Sequence, residues 1–143
     1  MGEFELIRRF FAGAPVRRAR LGIGDDCALL ADCPPGECLA VSTDLLLAGR
    51  HFLDDVDPVS LGWKSLAVNL SDLAAMGALP VGFTLALALP TLDETWLGAF
   101  AAGLLDLAAL HDCELLGGDT TRGPLAIGIT IFGHVPPDQA LRR

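Results

Sequence analysis

Four short apolar stretches interleave with two long helical patterns, and that order points to an α/β (α+β) domain, a mixed sheet covered by helices. Three signals carry this reading. Asp57-Pro58 starts a helix, with an acid at the N-cap and proline in the first turn, and Gly77 stops it after Met76. Thr91-x-x-Glu94 has the form of a capping box, opening a second helix that runs to about His111. Val81–Leu89 and Leu125–Val135 are apolar runs of strand length.

In order along the chain, Glu3–Phe11 carries helical signals, and a loop with Gly13, Pro15 and several arginines follows. Cys27–Ala31 reads as a first strand, Pro34-Pro35-Gly36 as a turn, and Leu39–Ser42 as a second strand ending in Ser-Thr-Asp. The helix from Pro58 comes next, then the strand from Val81. In the second helix Leu97, Ala101, Leu104, Leu105 and Ala108 keep helical spacing. Leu115-Leu116 is a short apolar piece running into Gly-Gly-Asp, and the strand from Leu125 closes the series. The first two strands have no helix between them, so this is not a regular βαβ repeat. The long last strand offers an edge through which a dimer could pair.

A length of 143 residues suits one domain with a real core. No apolar run approaches the ~18 residues that span a bilayer, since Phe83–Leu89 ends at Pro90 and Asp106 interrupts Leu97–Leu110. The N-terminal MGEFELIRRFF is a poor signal peptide, so a soluble, cytoplasmic protein with no membrane partner is expected. A net charge of −8 argues against nucleic acid as a partner. The phosphate-binding loop G-x-x-x-x-G-K-[ST] is absent. Cys27, Cys33, Cys38 and Cys113 form no C-x-x-C pair, which points to reduced thiols and away from zinc.

Four motifs share one design: Gly-Asp-Asp (24–26), Ser-Thr-Asp (42–44), Asn-Leu-Ser-Asp (69–72) and Gly-Gly-Asp-Thr-Thr (117–121). Each sets a carboxylate beside small or hydroxyl residues at the end or inside of an apolar segment. Ser65, Asn69 and Asp72 fall at i, i+4 and i+7 of an otherwise apolar helix and make one narrow polar stripe. That stripe faces either water or a polar, metal-holding cleft. Each of the other three motifs alone is as readily an ordinary turn, cap or hairpin loop. Taken together they can converge at one sheet edge, and one lysine, Lys64, cannot neutralise such a cluster. A hard divalent cation can: Mg²⁺ takes carboxylate, hydroxyl and carbonyl oxygens, keeps waters, and bridges phosphates. The glycines before Asp119 would let backbone N–H groups approach a polyphosphate. The chemistry this favours is Mg²⁺-assisted phosphoryl transfer.

The segments GIGDDCALL, STDLLLAGRHF, KSLAVNLSDLAAMGA and GGDTTRGPLAI closely resemble the thiamine-monophosphate kinase family, of the superfamily of aminoimidazole ribonucleotide synthetase and selenophosphate synthetase. The resemblance covers nearly the whole chain in order. It implies ATP- and Mg²⁺-dependent phosphorylation of thiamine monophosphate to thiamine diphosphate. It implies that Asp26, Ser42, Thr43, Asp44, Asp72 and Asp119 bind several Mg²⁺ ions. Gly118 and Asp119 would lie against ATP, Arg143 would reach it, and His51 would contact the thiamine phosphate. No general base is implied. Asp25 is expected to serve the turn or a ligand water, while His111, His134, Arg50 and the cysteines receive no role. Residues 1–143 would form the N-terminal Mg/ATP-binding and dimerisation domain of a homodimer, without the second domain of the family. Other expectations are another ATP-using enzyme of that superfamily, or a dimerisation or nucleotide-binding module that does not catalyse.

Overall fold

The computed structural model describes residues 2–143. The elements are α1 (Glu3–Phe10), β1 (Cys38–Leu47), α2 (Pro58–Met76), β2 (Leu79–Leu89), α3 (Glu94–Leu110), β3 (Glu114–Arg122) and β4 (Ala126–Val135). The strands form one sheet in the order β1-β4-β2-β3. β4 runs antiparallel to both β1 and β2, and β3 runs parallel to β2, with α3 making the crossover. The mixed α/β class is thus as expected.

Local chemistry sets the helix ends. The Asp57 side chain accepts a hydrogen bond from the Ser60 amide at 2.8 Å, which holds its carboxyl below the usual range. Gly77 ends α2 at φ 71°, a left-handed conformation that suits glycine. α3 is capped differently from the Thr91–Glu94 expectation: Asp93 Oδ1 accepts from the amides of Thr95 and Trp96, both at 3.0 Å. An aspartate directly before the first turn displaces a threonine two residues further out.

Three further expectations are corrected. Cys27–Ala31 is not a strand; its only ladder contact is an isolated Leu21–Leu29 bridge inside the N-terminal loop, because the sheet offers it no neighbour. β1 does not end at Ser-Thr-Asp but continues to Leu47, since ten successive pairings with β4 outweigh the turn preference of those residues. Gly117–Arg122 is not a loop either: it belongs to β3, paired along β2. α2 is also less enclosed than its composition implies. Leu61, Ser65, Leu66, Asn69, Leu70 and Leu73 are buried, while Trp63, Lys64 and Ser71-Asp72 face water.

The core lies between the helices and one sheet face. Phe83, Leu85 and Leu87 of β2 and Ile127, Ile129 and Ile131 of β4 pack against Leu61, Leu66, Phe100 and Leu104. α2 and α3 approach so closely that a Cβ on Gly62 would sit 2.1 Å from the Phe100 carbonyl oxygen. A Cβ on Gly103 would sit 2.0 Å from that of Val59. Burial pushes the Cys113 thiol up to about 12, so it packs as an apolar residue. Among the described residues, no helix is long and apolar enough to cross a membrane.

The other sheet face is open. Leu39, Val41, Leu45 and Leu47 of β1 are exposed there, and among the described residues β1 has no strand on its outer side.

Candidate active site: acids on two sides of one sheet

Side chains alternate along a strand, so Ser42-Thr43-Asp44 is divided. Ser42 and Asp44 pair in register with the buried Ile131 and Ile129, which places both on the helix side of β1. Ser42 Oγ donates to Asp72 Oδ2 of α2 at 2.7 Å. Thr43 lies on the open face, in a 2.8 Å hydrogen bond with Thr130 Oγ1. Ser42 and Asp72 therefore meet at the edge of the helix layer, with Asp44 two residues along the same face of β1.

The polar stripe of α2 divides as well. Ser65 and Asn69 are fully buried: Ser65 Oγ donates to the Leu61 carbonyl, and Asn69 Nδ2 to the Ser65 carbonyl. Only Asp72 reaches the surface. Asn69 Oδ1 has no partner among the described residues, a position that suits an ordered water.

A second set lies around a cleft of about 900 Å³. The N-terminal loop brings Gly24, Asp25 and Asp26 to its rim, β3 brings Gly118 and Asp119, and α1 contributes Phe4, Ile7 and Arg8. Asp119 is in register with Ala86, whose methyl would lie 3.6 Å from a Cβ on Gly128, on the open face. Asp25 and Asp26 have distinct roles. Asp25 Oδ1 accepts from the Asp26 amide at 2.8 Å and shapes the turn, which leaves the exposed Asp26 carboxylate free. Gly118 has φ 153°, and a Cβ there would meet the Leu85 carbonyl oxygen at 1.8 Å. Only glycine fits so close to β2.

His51 stands apart, in the turn after β1. Its Nδ1 accepts from the Leu47 amide at 3.0 Å, and its carbonyl accepts from Lys64 Nζ. A neutral ring so held carries its proton on Nε2 and can donate it to an anion. Arg143 is exposed beyond β4 and joins neither acidic set.

The structure thus pairs Asp26 with Gly118 and Asp119 in one cleft, and Ser42 and Asp44 with Asp72 at another place. Among the described residues, no three His, Cys, Asp or Glu side chains gather as a metal cage. The donors are nonetheless all hard oxygens, with two carboxylates in each set once Asp25 is given to its turn, which is how protein holds Mg²⁺ when substrate phosphates and water complete the shell. The α1 side chains Phe4, Ile7 and Arg8 were not legible as part of this site, since nothing in the helical pattern of residues 3–11 tells what it packs beside.

The match to the family of AIR synthase related proteins, N-terminal domain, covers residues 24–135. Thiamine-monophosphate kinase of Escherichia coli (strain K12) is 56% identical over 144 residues, covering 99% of this chain and 44% of that protein. The crystal structure of thiamine-monophosphate kinase from Stenotrophomonas maltophilia K279a is 48% identical with a TM-score of 0.82, covering 97% of this chain and 43% of that one. A structure of AaThiL complexed with AMPPCP and TMP is 33% identical with a TM-score of 0.69, covering 80% and 37%. The chain spans less than half the length of these relatives.

Proposed function

The chain belongs to the family described as AIR synthase related protein, N-terminal domain, and from that premise we propose that it is the nucleotide-binding part of a kinase that converts thiamine monophosphate to thiamine diphosphate. ATP is the proposed phosphoryl donor. The observation that supports this best is the cleft lined by both Asp26 and Asp119, beside Gly117, where a Cβ would meet nothing and a phosphate chain has room to approach the backbone. Identity to thiamine-monophosphate kinases along nearly the whole chain supports thiamine monophosphate as the acceptor.

In the proposed reaction an oxygen of the acceptor phosphate attacks the γ-phosphorus of ATP in line. The bond to the β–γ bridging oxygen breaks and ADP departs. The acceptor is already ionised near neutral pH, so no side chain need act as a base. Asp26 and Asp119 would hold Mg²⁺ at the nucleotide end, and Ser42, Asp44 and Asp72 would hold it at the second set. Bound there, Mg²⁺ supplies charge neutralisation between the two anionic phosphates. Thr43, with its hydroxyl turned to the open face, can join only through its backbone carbonyl. His51 would donate from Nε2 to the thiamine phosphate, and Arg143 would reach the phosphates or adenosine of ATP. Residues 1–143 would act as the N-terminal Mg/ATP-binding domain, and turnover by them alone is expected to be weak or absent.

The test is a calorimetric titration of a non-hydrolysable ATP analogue into this chain, with and without Mg²⁺. The expected result is binding that needs Mg²⁺. No binding, or binding indifferent to Mg²⁺, contradicts the proposal.

A homodimer formed through the open sheet face belongs to the same proposal. The exposed leucines and Val41 of β1 favour burial against a second copy. Val41→Asp is expected to halve the mass seen by analytical ultracentrifugation while leaving circular dichroism unchanged. An unchanged mass removes this face from the interface. A cytoplasmic location accords with four free thiols.

A further inference from the structure

We propose that Glu114 is a positioning residue of the nucleotide cleft: its buried carboxylate clamps the loop that carries Asp26 onto the strand that carries Asp119. Glu114 is the first residue of β3 and is 6% exposed. Its Oε1 accepts from the amides of Arg17 and Arg18 at 2.7 and 2.8 Å, and Oε2 from the Ala19 amide at 3.2 Å. Three consecutive N–H groups thus converge on one carboxylate.

Arg18 completes the clamp from the loop side. Its guanidinium donates to the carbonyls of Pro80 and Val81, each at 3.1 Å, and to that of Asp112. Asp112, at φ 49°, forms the tight turn from α3 into β3 and also pairs with Arg18 through its carboxylate. The loop therefore grips both strands of the parallel pair at the end where β3 begins.

Elsewhere the loop is held by apolar packing of Ala14 and Ile23 against the core and by few polar bonds. It carries two isolated bridges, Leu21–Leu29 and Ile23–Asp25, and an exposed Arg20–Asp32 ion pair at 3.3 Å. An exposed ion pair contributes little. Charge-assisted hydrogen bonds to a buried carboxylate are much stronger. Loop residues 17–19 lead directly to Asp26, and β3 leads from Glu114 to Gly118 and Asp119, so the clamp sets how far apart the two cleft carboxylates stand.

This inference rests on the nucleotide reading of the cleft, and two measurements on the chain keep the two apart. Hydrogen exchange reads the loop alone, and calorimetry with Mg²⁺ and a non-hydrolysable ATP analogue reads the cleft. In Glu114→Ala the amides of residues 17–19 should exchange roughly 10- to 100-fold faster, the factor expected on losing one or two charge-assisted hydrogen bonds. Amides of β2, β4 and α2 should keep their protection, and analogue affinity should fall about tenfold. Glu114→Gln keeps the Oε1 acceptor for Arg17 and Arg18 but loses the charge and turns an amide donor toward the Ala19 N–H, so it should restore only part of both properties.

Unchanged loop exchange overturns the clamp. Faster loop exchange with unchanged affinity overturns the positioning role, and uniform loss of protection reduces Glu114 to a general stabiliser. If the unaltered chain takes no analogue, the nucleotide reading fails, and the positioning role with it, while the exchange data still decide the clamp.

Discussion

Gly103→Ala should lower the melting temperature by roughly 10 °C, the shift expected from about 3 kcal/mol of destabilisation in a domain of this size. The new methyl would enter the space of the Val59 carbonyl oxygen, at 2.0 Å, with the Val59 carbonyl carbon at 2.8 Å. Backbone cannot rotate aside as a side chain can, so α2 and α3 must separate and the packing around Leu61, Phe100 and Leu104 loosens with them. Against this stands helix propensity, which favours alanine over glycine by only about 1 kcal/mol. Gly98→Ala is the internal control. It lies in the same helix, its Cβ would meet the Phe10 ring at an ordinary 3.5 Å, and propensity should therefore win. A thermal melt of both variants checks the argument: opposite shifts are expected, and a Gly103→Ala protein as stable as the parent would rule out the close helix crossing.

The second large effect concerns chemistry and leaves the fold alone. Asp72→Asn keeps the size of the side chain and an oxygen that can still accept from Ser42 Oγ. Asp72 is exposed, so the melting temperature should move little. Losing the charge would remove one of the two carboxylates, with Asp44, that the proposed function gives to Mg²⁺. In a chimaera that joins this chain to the remainder of a thiamine-monophosphate kinase, turnover of thiamine monophosphate with ATP and Mg²⁺ should fall by about 100-fold or more. A steady-state assay decides it. Near-normal turnover would remove Asp72 from the site, and a collapsed melting temperature would turn any loss of rate into a stability effect.

Elements whose signals are local were legible in the sequence. Asp57, Pro58 and Gly77 mark the ends of α2 by capping chemistry that needs no tertiary partner. The alternation of β4 is equally self-contained. Elements whose form depends on neighbours were not. Gly117-Gly118 reads as a turn in isolation, and only the closeness of β2 makes it strand. Cys27–Ala31 has strand composition but nothing to pair with. The site divides in the same way. Asp26, Ser42, Asp44, Asp72 and Asp119 were each recognisable as oxygen donors at the margins of apolar segments. Which of them share a space follows from pairing register, and one residue of register turns every side chain to the opposite face. Glu114 was silent because its partners are backbone amides of residues far away in the chain.

β4 is made last, yet it lies between β1 and β2. During synthesis β1 must wait for about eighty residues before its only neighbour exists, and β2 has just the edge strand β3 for company until then. The nascent chain therefore carries an apolar, unpaired β1 while all of those residues are made, a state that invites aggregation or a chaperone's grip. A ribosome halted before Ala126 would hold two fragments of a sheet with the centre missing, and no shorter product can complete it.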